Sequence, residues 1–351
     1  MTMKKIVVIL FVSLSMSVLA NAEDNKDSFR IVFENDSFVQ IISDRLRDTD
    51  RHYTNGFHMD LKINPNLGWL SFLSAGGEQF SGFLLGQKMY TPAELRDPNV
   101  NVNDQPYAGY VFLEYYEEYF QVGGDYTRFG LQVGCLGPCS RAEQTQKWVH
   151  DKKRGDGETP YNPEGWSHQI GTRRSEPGLQ ANFEYRFFWP YLTYEYFHLS
   201  PVLKGNIGNI FTDLGVGINT RIGLFEMNPA VEKEEFAFYL FGNLLRKRVF
   251  YNAVLQGGLY DRYVHDNEHS DHTIKRADMK RYVTTANVGE ALTLWNITMK
   301  GYLGYMGTEF EINDNSKSDV NQEKDDFQMS EGAIDAGGPQ YYIGTEVIIS
   351  W

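Results

Sequence analysis

A histidine that could act as a base and a group of oxygen donors that could bind a cation lie in separate parts of this sequence. Gln146 and His150 are four residues apart in SRAEQTQKWVH, so on a helix they would share one face. Asn35 and Asp36 in FENDSF and Thr54 in DRHYTNG offer amide, carboxylate and hydroxyl oxygens. These hard donors suit Ca²⁺ better than a transition metal. A histidine that activates water beside a bound cation would hydrolyse an ester without a covalent intermediate.

Other chemistry has less support. The chain has no GxSxG motif, so a serine nucleophile is not indicated. No cysteine or third histidine accompanies His52 and His58 at zinc-ligand spacing, and we interpret both as ordinary residues of a barrel lumen. The run HDNEHSDH, His265 to His272, is typical of a solvated loop and receives no role. The loop from Thr91 to Gly109 is rich in turn formers, and it could order a headgroup or simply cross a rim.

The first 22 residues are typical of a secretory signal peptide. Lys4 and Lys5 precede an apolar run, and Ala20-Asn21-Ala22 forms a small-x-small cleavage site. Residues 23–351 are then the mature chain, which we interpret as one domain. No later stretch approaches the roughly 18 apolar residues of a membrane helix, which leaves a soluble secreted protein or a β-barrel. The net charge of −13 argues against nucleic acid as a partner.

Alternating segments of about ten residues predict a transmembrane antiparallel β-barrel of about twelve strands. In the last segment Trp351, Ile349 and Val347 share one face, while Ser350 and Glu346 share the other. The candidate strands are 28–38, 53–63, 79–90, 106–120, 124–134, 178–188, 197–207, 209–224, 234–253, 281–295, 297–310 and 340–351. Long links would then lie mostly outside the cell and short ones in the periplasm, and we expect a monomer.

The elements predict that the polar clusters meet at the extracellular end of this barrel. A short helix from Ser140 to His150, with a Ser140–Glu143 capping box, lies in an extracellular loop. Asn35 and Asp36 end the first strand, and Thr54 begins the second. In that second strand, a period of two predicts two faces. Asp50, His52, Thr54, His58 and Asp60 would face the lumen, and Arg51, Tyr53, Phe57, Met59 and Leu61 would face lipid.

The two cysteines are four residues apart in GCLGPCS. In an oxidising compartment Cys135 and Cys139 could close a small loop, so a local disulfide is favoured over two free thiols.

Several motifs resemble one family, the outer-membrane lipid A 3′-O-deacylases, which are calcium-dependent esterases folded as twelve-stranded barrels. The matching pieces are FENDSF (33–38), DRHYTNG (50–56), MYTP (89–92), PYAG (106–109), GPCSRAEQTQKWVH (137–150), GW (165–166) and EPG (176–178). They occur in family order and are concentrated in the first half of the mature chain, while the resemblance itself covers nearly all of it.

The resemblance implies roles for individual residues. Asn35, Asp36 and Thr54 would lie near Ca²⁺, and Gln146 and His150 would be the helix residues of the site, with His150 as the base that activates water. The acidic partner of that base falls on Asp156, or on Glu158 because this loop contains extra residues. Of the basic pair that some members present to sugar acids of lipopolysaccharide, only Arg96 is available.

The sequence therefore predicts an enzyme of the bacterial outer membrane, surrounded by its lipids, that removes the 3′-O-linked acyloxyacyl chain from lipid A of lipopolysaccharide at the outer leaflet. Two alternatives remain at this point. One is an outer-membrane phospholipase, and the other is a non-catalytic barrel such as a pore or an adhesin.

Overall fold

A computed structural model describes residues 27–36, 52–64, 67–69, 77–92, 95, 98, 104–121, 123–152, 163–172, 174–225, 236–260, 273–311 and 338–351. The predicted signal peptide lies outside these ranges and stays a prediction. Also outside them are Asp156, Glu158, Arg96 and the histidine-rich run 265–272.

The chain forms thirteen described strands and two described α-helices. The strands are β1 (Ser28–Asn35), β2 (His52–Ile63), β3 (Glu78–Thr91), β4 (Ala108–Phe120), β5 (Tyr126–Leu136), β6 (Glu176–Arg186), β7 (Thr193–Tyr194), β8 (Phe197–Gly208), β9 (Phe211–Leu224), β10 (Phe236–Asn252), β11 (Tyr282–Leu294), β12 (Ile297–Met306) and β13 (Gln340–Ser350). The helices are α1 (Ala142–Lys152) and α2 (Ala253–Gln256). Twelve strands are long, as predicted, and β7 is a two-residue piece of the link before β8.

The long strands close into one antiparallel barrel. Sequential neighbours pair throughout, β1 pairs with β13, and a pairing between β6 and β8 closes the ring. Asn35 and Thr91 end their strands at what we call the loop end, which carries α1. The opposite, turn end has the short links around Gly123 and at Trp295–Asn296. The tight turn after Gly208 lies at the loop end, so it is an exception to the rule that short links lie at the turn end.

Alternation along the strands separates a polar lumen from an apolar outer surface. Arg30 bonds Asp60 at 2.6 Å and Arg128 bonds Glu114 at 2.8 Å inside the barrel. Apolar side chains such as Leu113, Leu131 and Leu179 are exposed on the outer surface. No helix in the described ranges is long and apolar enough to cross a membrane.

Folded-in segments fill the lumen at the loop end. Ala253, Val254 and Leu255 of α2 are fully buried, and Phe310 joins the same cluster. The sequence predicted only a strand ending at Ala253. Asn252 caps α2, since its side chain accepts a hydrogen bond from the backbone N–H of Val254.

Cys135 and Cys139 form the predicted disulfide. It joins the end of β5 to the 3₁₀ turn Pro138–Ser140 that leads into α1.

Candidate active site

The pairing of β1 with β2 brings together the oxygen donors that the sequence predicted. Asn35 lies opposite Asn55, and the Asp36 N–H donates to the Thr54 carbonyl at 3.3 Å. The Asn35 side-chain amide also donates to that carbonyl, at 3.2 Å. Asn35, Asp36 and Thr54 are all buried, at 8%, 4% and 2% exposure. The predicted cation-binding residues are therefore neighbours in a site shielded from solvent.

A β-bulge at Thr54 overturns the predicted faces of the second strand. Tyr53 lies opposite Tyr90 but Asn55 lies opposite Met89, so Thr54 is the extra residue. Below the bulge, His58 and Asp60 face the lumen as predicted. The bulge breaks the alternation at this point, so the lipid-facing prediction for Tyr53 is wrong: its hydroxyl donates to the lumen residue Glu34.

The Thr54 side chain meets the outer wall of the barrel instead of the predicted lumen. Its Oγ1 lies 2.6 Å from the Oγ1 of Thr91. Thr91, Met89 and Leu85 are separated by even numbers of residues in β3, so their side chains lie on the same face of the strand. Leu85 is 43% exposed, which identifies that face as the outer one. Thr91 belongs to the MYTP motif but received no role from the sequence. Only the bulge, which the sequence does not signal, places it beside Thr54.

The predicted helix is present but begins later than its predicted cap. Pro138–Ser140 is a 3₁₀ turn, Arg141 has a left-handed backbone with φ of 60°, and α1 starts at Ala142. The Ser140–Glu143 capping box is therefore wrong. Ser140 Oγ instead donates to the Gly137 carbonyl at 2.6 Å, and Glu143 pairs with Lys147.

Helix α1 packs against the outer face of β3 and β4. Gly109 of the PYAG motif lies directly under the start of the helix, where a Cβ would approach Ala142 Cβ to 2.4 Å and Ser140 Oγ to 2.2 Å. Only glycine permits this approach. Gln87, on the outer face of β3, donates from Nε2 to the Ser140 carbonyl at 2.6 Å.

A small core fixes the helix on that wall. Met89, Leu95, Tyr107, Ala142 and Trp166 pack together, and Trp166 is 1% exposed. These five residues come from the MYTP, PYAG, helical and GW motifs and the loop after β3, so the separate motifs are parts of one structure.

Trp166 also positions the predicted functional face of α1. Its indole N–H donates to Gln146 Oε1 at 2.7 Å, and Gln146 is 3% exposed. The Nε2 of Gln146 is buried without an acceptor among the described residues. His150 follows one turn later and is half-buried. A buried amide donor and an accessible imidazole therefore share one helix face.

The donor set fits a hard cation in its chemistry. Asn35, Asp36 and Thr54 supply oxygen atoms of the kinds that Ca²⁺ prefers. They supply fewer than the six to eight oxygens of a full Ca²⁺ shell, so water or substrate would complete it. The described residues contain no group of three His, Cys, Asp or Glu side chains that could hold a metal.

The two histidines of β2 lie in different surroundings. His58 packs its ring against Phe112 in the lumen, with 5.9 Å between ring centroids. His52 has a left-handed backbone with φ of 61° and is 1% exposed. Its Nε2 lies 3.3 Å from Asp104 Oδ1, an ion pair when the ring is protonated, which ties β2 to the loop before β4. Sequence reasoning gave Asp104 no role.

One acidic group at the loop end is electrostatically perturbed. Glu309 is 5% exposed and accepts a hydrogen bond from Asn252 at 3.3 Å. Burial raises the pKa of its carboxyl, and the nearby Lys247 and His52 oppose that change.

This chain is similar to known proteins in both sequence and fold. The model of the family described as outer membrane protein LpxR matches residues 6–320. The solved structure of LpxR from Salmonella typhimurium is 17% identical, covers 92% of this chain and 99% of that chain, and has a TM-score of 0.68. At this identity the likeness concerns the fold.

More distant barrels also match. The β domain of the Bordetella autotransporter BrkA is 10% identical, covers 93% of this chain and 100% of that chain, and has a TM-score of 0.44, too low to support an argument. Comparison with curated protein sequences gives no significant match.

Proposed function

Because this chain belongs to the family of the outer membrane protein LpxR, with a match over residues 6–320, we propose that it is an outer-membrane hydrolase that removes the 3′-O-linked acyloxyacyl chain from lipid A. The observation that carries this proposal is the position of α1. Gln146 and His150 are held on the outer wall of the barrel, on the same side as the buried oxygens around Thr54.

The position of the site suits a substrate that stays in the membrane. The outer surface of a membrane barrel contacts lipid, whereas the lumen does not. A lipid in the leaflet at the loop end could therefore bring an ester to α1 by lateral diffusion. The lumen at that end is filled by α2 and Phe310, which disfavours a pore through the described part of the chain.

In the proposed reaction His150 takes a proton from water, which attacks the ester carbonyl. The C–O bond between the acyl carbon and the lipid A oxygen then breaks, and the imidazolium returns the proton to that departing oxygen. A positioned base of this kind typically contributes about 10² to 10⁴ in rate. Asp156 or Glu158 would orient the imidazole. The Gln146 Nε2, a buried donor without an acceptor among the described residues, would donate to the carbonyl oxygen as negative charge develops on it.

Asn35, Asp36 and Thr54 would hold Ca²⁺ in this scheme. When bound there, the cation would polarise the ester carbonyl. All three residues are less than 9% exposed, so a cation held there would be shielded from bulk solvent.

The test is hydrolysis of purified lipid A by His150→Ala, followed by mass spectrometry. We expect loss of acyloxyacyl release, while the barrel remains heat-modifiable on gels. His168→Ala is a matched control, because His168 is an exposed histidine that ends the 3₁₀ helix Gly165–His168 in the same loop. A non-catalytic barrel predicts that His150→Ala changes nothing.

Two further comparisons separate the remaining alternatives. Incubation with phospholipid instead of lipid A tests the phospholipase alternative, which predicts release of fatty acid from phospholipid. Incubation with chelator tests the cation, and activity that survives complete chelation would contradict the calcium mechanism.

A further inference from the structure

Two arginines interrupt the apolar outer surface of β10. Every second residue of this strand points outward, and Phe238, Leu240, Leu244 and Phe250 are 45–53% exposed in that row. Arg246 and Arg248 occupy the same row and are also exposed. Arginine on a lipid-facing surface costs about 2–4 kcal/mol at the membrane midplane and about 0–1 kcal/mol near its edges. A pair of them therefore needs either a location at the membrane edge or a partner.

The location can be worked out from the strand geometry. Phe238 and Arg248 lie on one face of β10, ten residues apart. At about 3.4 Å per residue and a tilt of about 40°, they are separated by about 26 Å along the barrel axis. That distance matches the height of the apolar band of such barrels, about 25 Å. If Phe238 lies at the turn-end edge of the band, Arg248 lies at the loop-end edge; if Phe236, exposed on the same face, marks the turn-end edge, Arg246 lies at the loop-end edge and Arg248 just beyond it.

Aromatic rings mark the same edge. The guanidinium of Arg248 lies 5.1 Å from the Phe250 ring centroid and 6.0 Å from that of Tyr282. Arg246 lies 5.7 Å from the Tyr282 centroid. Aromatic girdles form at the interfaces of membrane barrels, where lipid headgroups begin.

The arginines lack an acidic partner among the described residues. Arg246 donates to the Thr284 hydroxyl at 2.8 Å, and neither guanidinium forms a salt bridge there. The outward neighbours on β9 are Leu214 and Val216, opposite Arg248 and Arg246. The surface next to these apolar side chains is therefore cationic and has no acidic group to neutralise it among the described residues. It consists of two guanidinium groups, a hydroxyl and a tyrosine ring.

The adjacent loop adds positive charge to this region. Lys275 and Arg276 are exposed, and Arg281 is exposed immediately before β11. Lys280 is neutralised by Glu311, and Asp278 in the same loop offsets part of the remaining positive charge. The chain as a whole has a net charge of −13, so this basic region is a local exception. It would attract an anion at the membrane surface.

We propose that Arg246 and Arg248, together with the Thr284 hydroxyl, bind the phosphate group of a lipid in the leaflet at the loop end. Guanidinium groups bind phosphate oxygens through paired N–H donors, and Leu214 and Val216 would contact the acyl chains. The proposal rests on the membrane location given under Proposed function. It does not rest on the hydrolytic reaction, because β10 and β11 contribute no residue to the candidate active site.

The test is retention of bisphosphorylated lipid A by the purified full-length protein, measured by native mass spectrometry in chelator. Arg246→Gln/Arg248→Gln should retain the lipid at least about tenfold more weakly than wild type, since each lost guanidinium removes a charge-assisted bond. Lipid bound at the candidate active site contributes equally to both proteins. Phosphatase-treated lipid A should abolish the difference between them.

Arg174→Gln is the matched control for Arg248→Gln. Arg174 is also an exposed loop-end arginine, and its guanidinium lies 4.1 Å from the Tyr260 centroid. It should retain lipid like wild type. The proposal would be overturned by any of three results. The double variant could retain the lipid as well as wild type does, the control could lose as much lipid as the double variant does, or millimolar inorganic phosphate could displace the lipid. Heat-modifiability of each variant verifies the fold, and the single variant Arg248→Gln replaces the double variant if that one does not fold.

Two different measurements distinguish failure of this proposal from failure of the proposed hydrolase. Retention is measured without turnover, whereas acyl release is measured in a separate assay on both wild type and the double variant. Loss of retention with intact acyl release in the double variant supports a lipid site that is separate from the reaction.

Discussion

Replacing Trp166 with phenylalanine tests whether one buried hydrogen bond holds the functional face of α1. Trp166 is 1% exposed, and its indole donates to Gln146 Oε1 at 2.7 Å. Phenylalanine keeps an aromatic ring in the core with Tyr107 but removes the donor. Gln146 Oε1 would then be buried without a partner.

The size of the effect follows from that loss. A buried acceptor left without its donor costs about 1–3 kcal/mol. If this lowers the free energy for local opening of α1, amide exchange in the helix accelerates by a factor of about 5 to 150. A displacement of about 1 Å at a reacting group can cost about 100-fold in rate. We therefore expect acyl release to fall at least about tenfold, with no change in the barrel.

The assay combines hydrogen exchange of residues 142–152, acyl release from lipid A and heat-modifiability. Trp148→Phe is the control, because Trp148 lies on the same helix but is 62% exposed. It should change none of the three readouts. If Trp166→Phe leaves both helix exchange and acyl release within twofold of wild type, the reasoning about this bond is wrong.

Two further perturbations test the surroundings of the site. Thr91→Val removes the hydroxyl 2.6 Å from Thr54 Oγ1 and should weaken Ca²⁺-dependent activation, seen as a higher Ca²⁺ requirement. Thr293→Val, which breaks a similar Thr pair with 2.9 Å between its hydroxyl oxygens at the turn end, should leave that requirement unchanged. Glu309→Gln tests the carboxyl whose pKa burial raises. Because the ionised form is the penalised one, the variant should raise the barrel's unfolding temperature at neutral pH. The gain should shrink as pH falls through the raised pKa, where wild-type Glu309 becomes neutral. A gain that grows toward low pH would contradict the sign.

The strands were predictable because a barrel wall imposes a period of two on the sequence. Apolar and polar positions alternate in β10 and β13 strongly enough to locate each strand and both of its faces. The segment after Asn252 was not predictable in the same way. Its apolar residues could continue a strand or fold inward, and the structure shows the short helix α2 in the lumen.

The side of the wall on which the site lies could not be read from the sequence. A period of two, applied through Thr54, places its side chain in the lumen. The bulge adds one residue and turns the Thr54 side chain to the outer wall, and DRHYTNG carries no distinctive signal for a bulge. Trp166 and Thr91 were visible in motifs, but their contacts with Gln146 and Thr54 join positions 20 and 37 residues apart.

An active site outside the wall has an energetic consequence for the proposed reaction. Moving an acyl chain from the bilayer into water costs about 0.8 kcal/mol per CH₂ group, or about 10 kcal/mol for a chain of about twelve such groups. A site in the lumen would require that transfer unless the lumen were apolar. This lumen is not apolar, because it carries charged pairs such as Arg30 with Asp60. A site between the outer face of β3 and α1 lets the ester reach His150 while the chain stays in the hydrocarbon layer. The bulge at Thr54 and the glycine at position 109 therefore place the Thr54 hydroxyl and helix α1 on the side of the barrel where the proposed substrate can remain dissolved in the membrane.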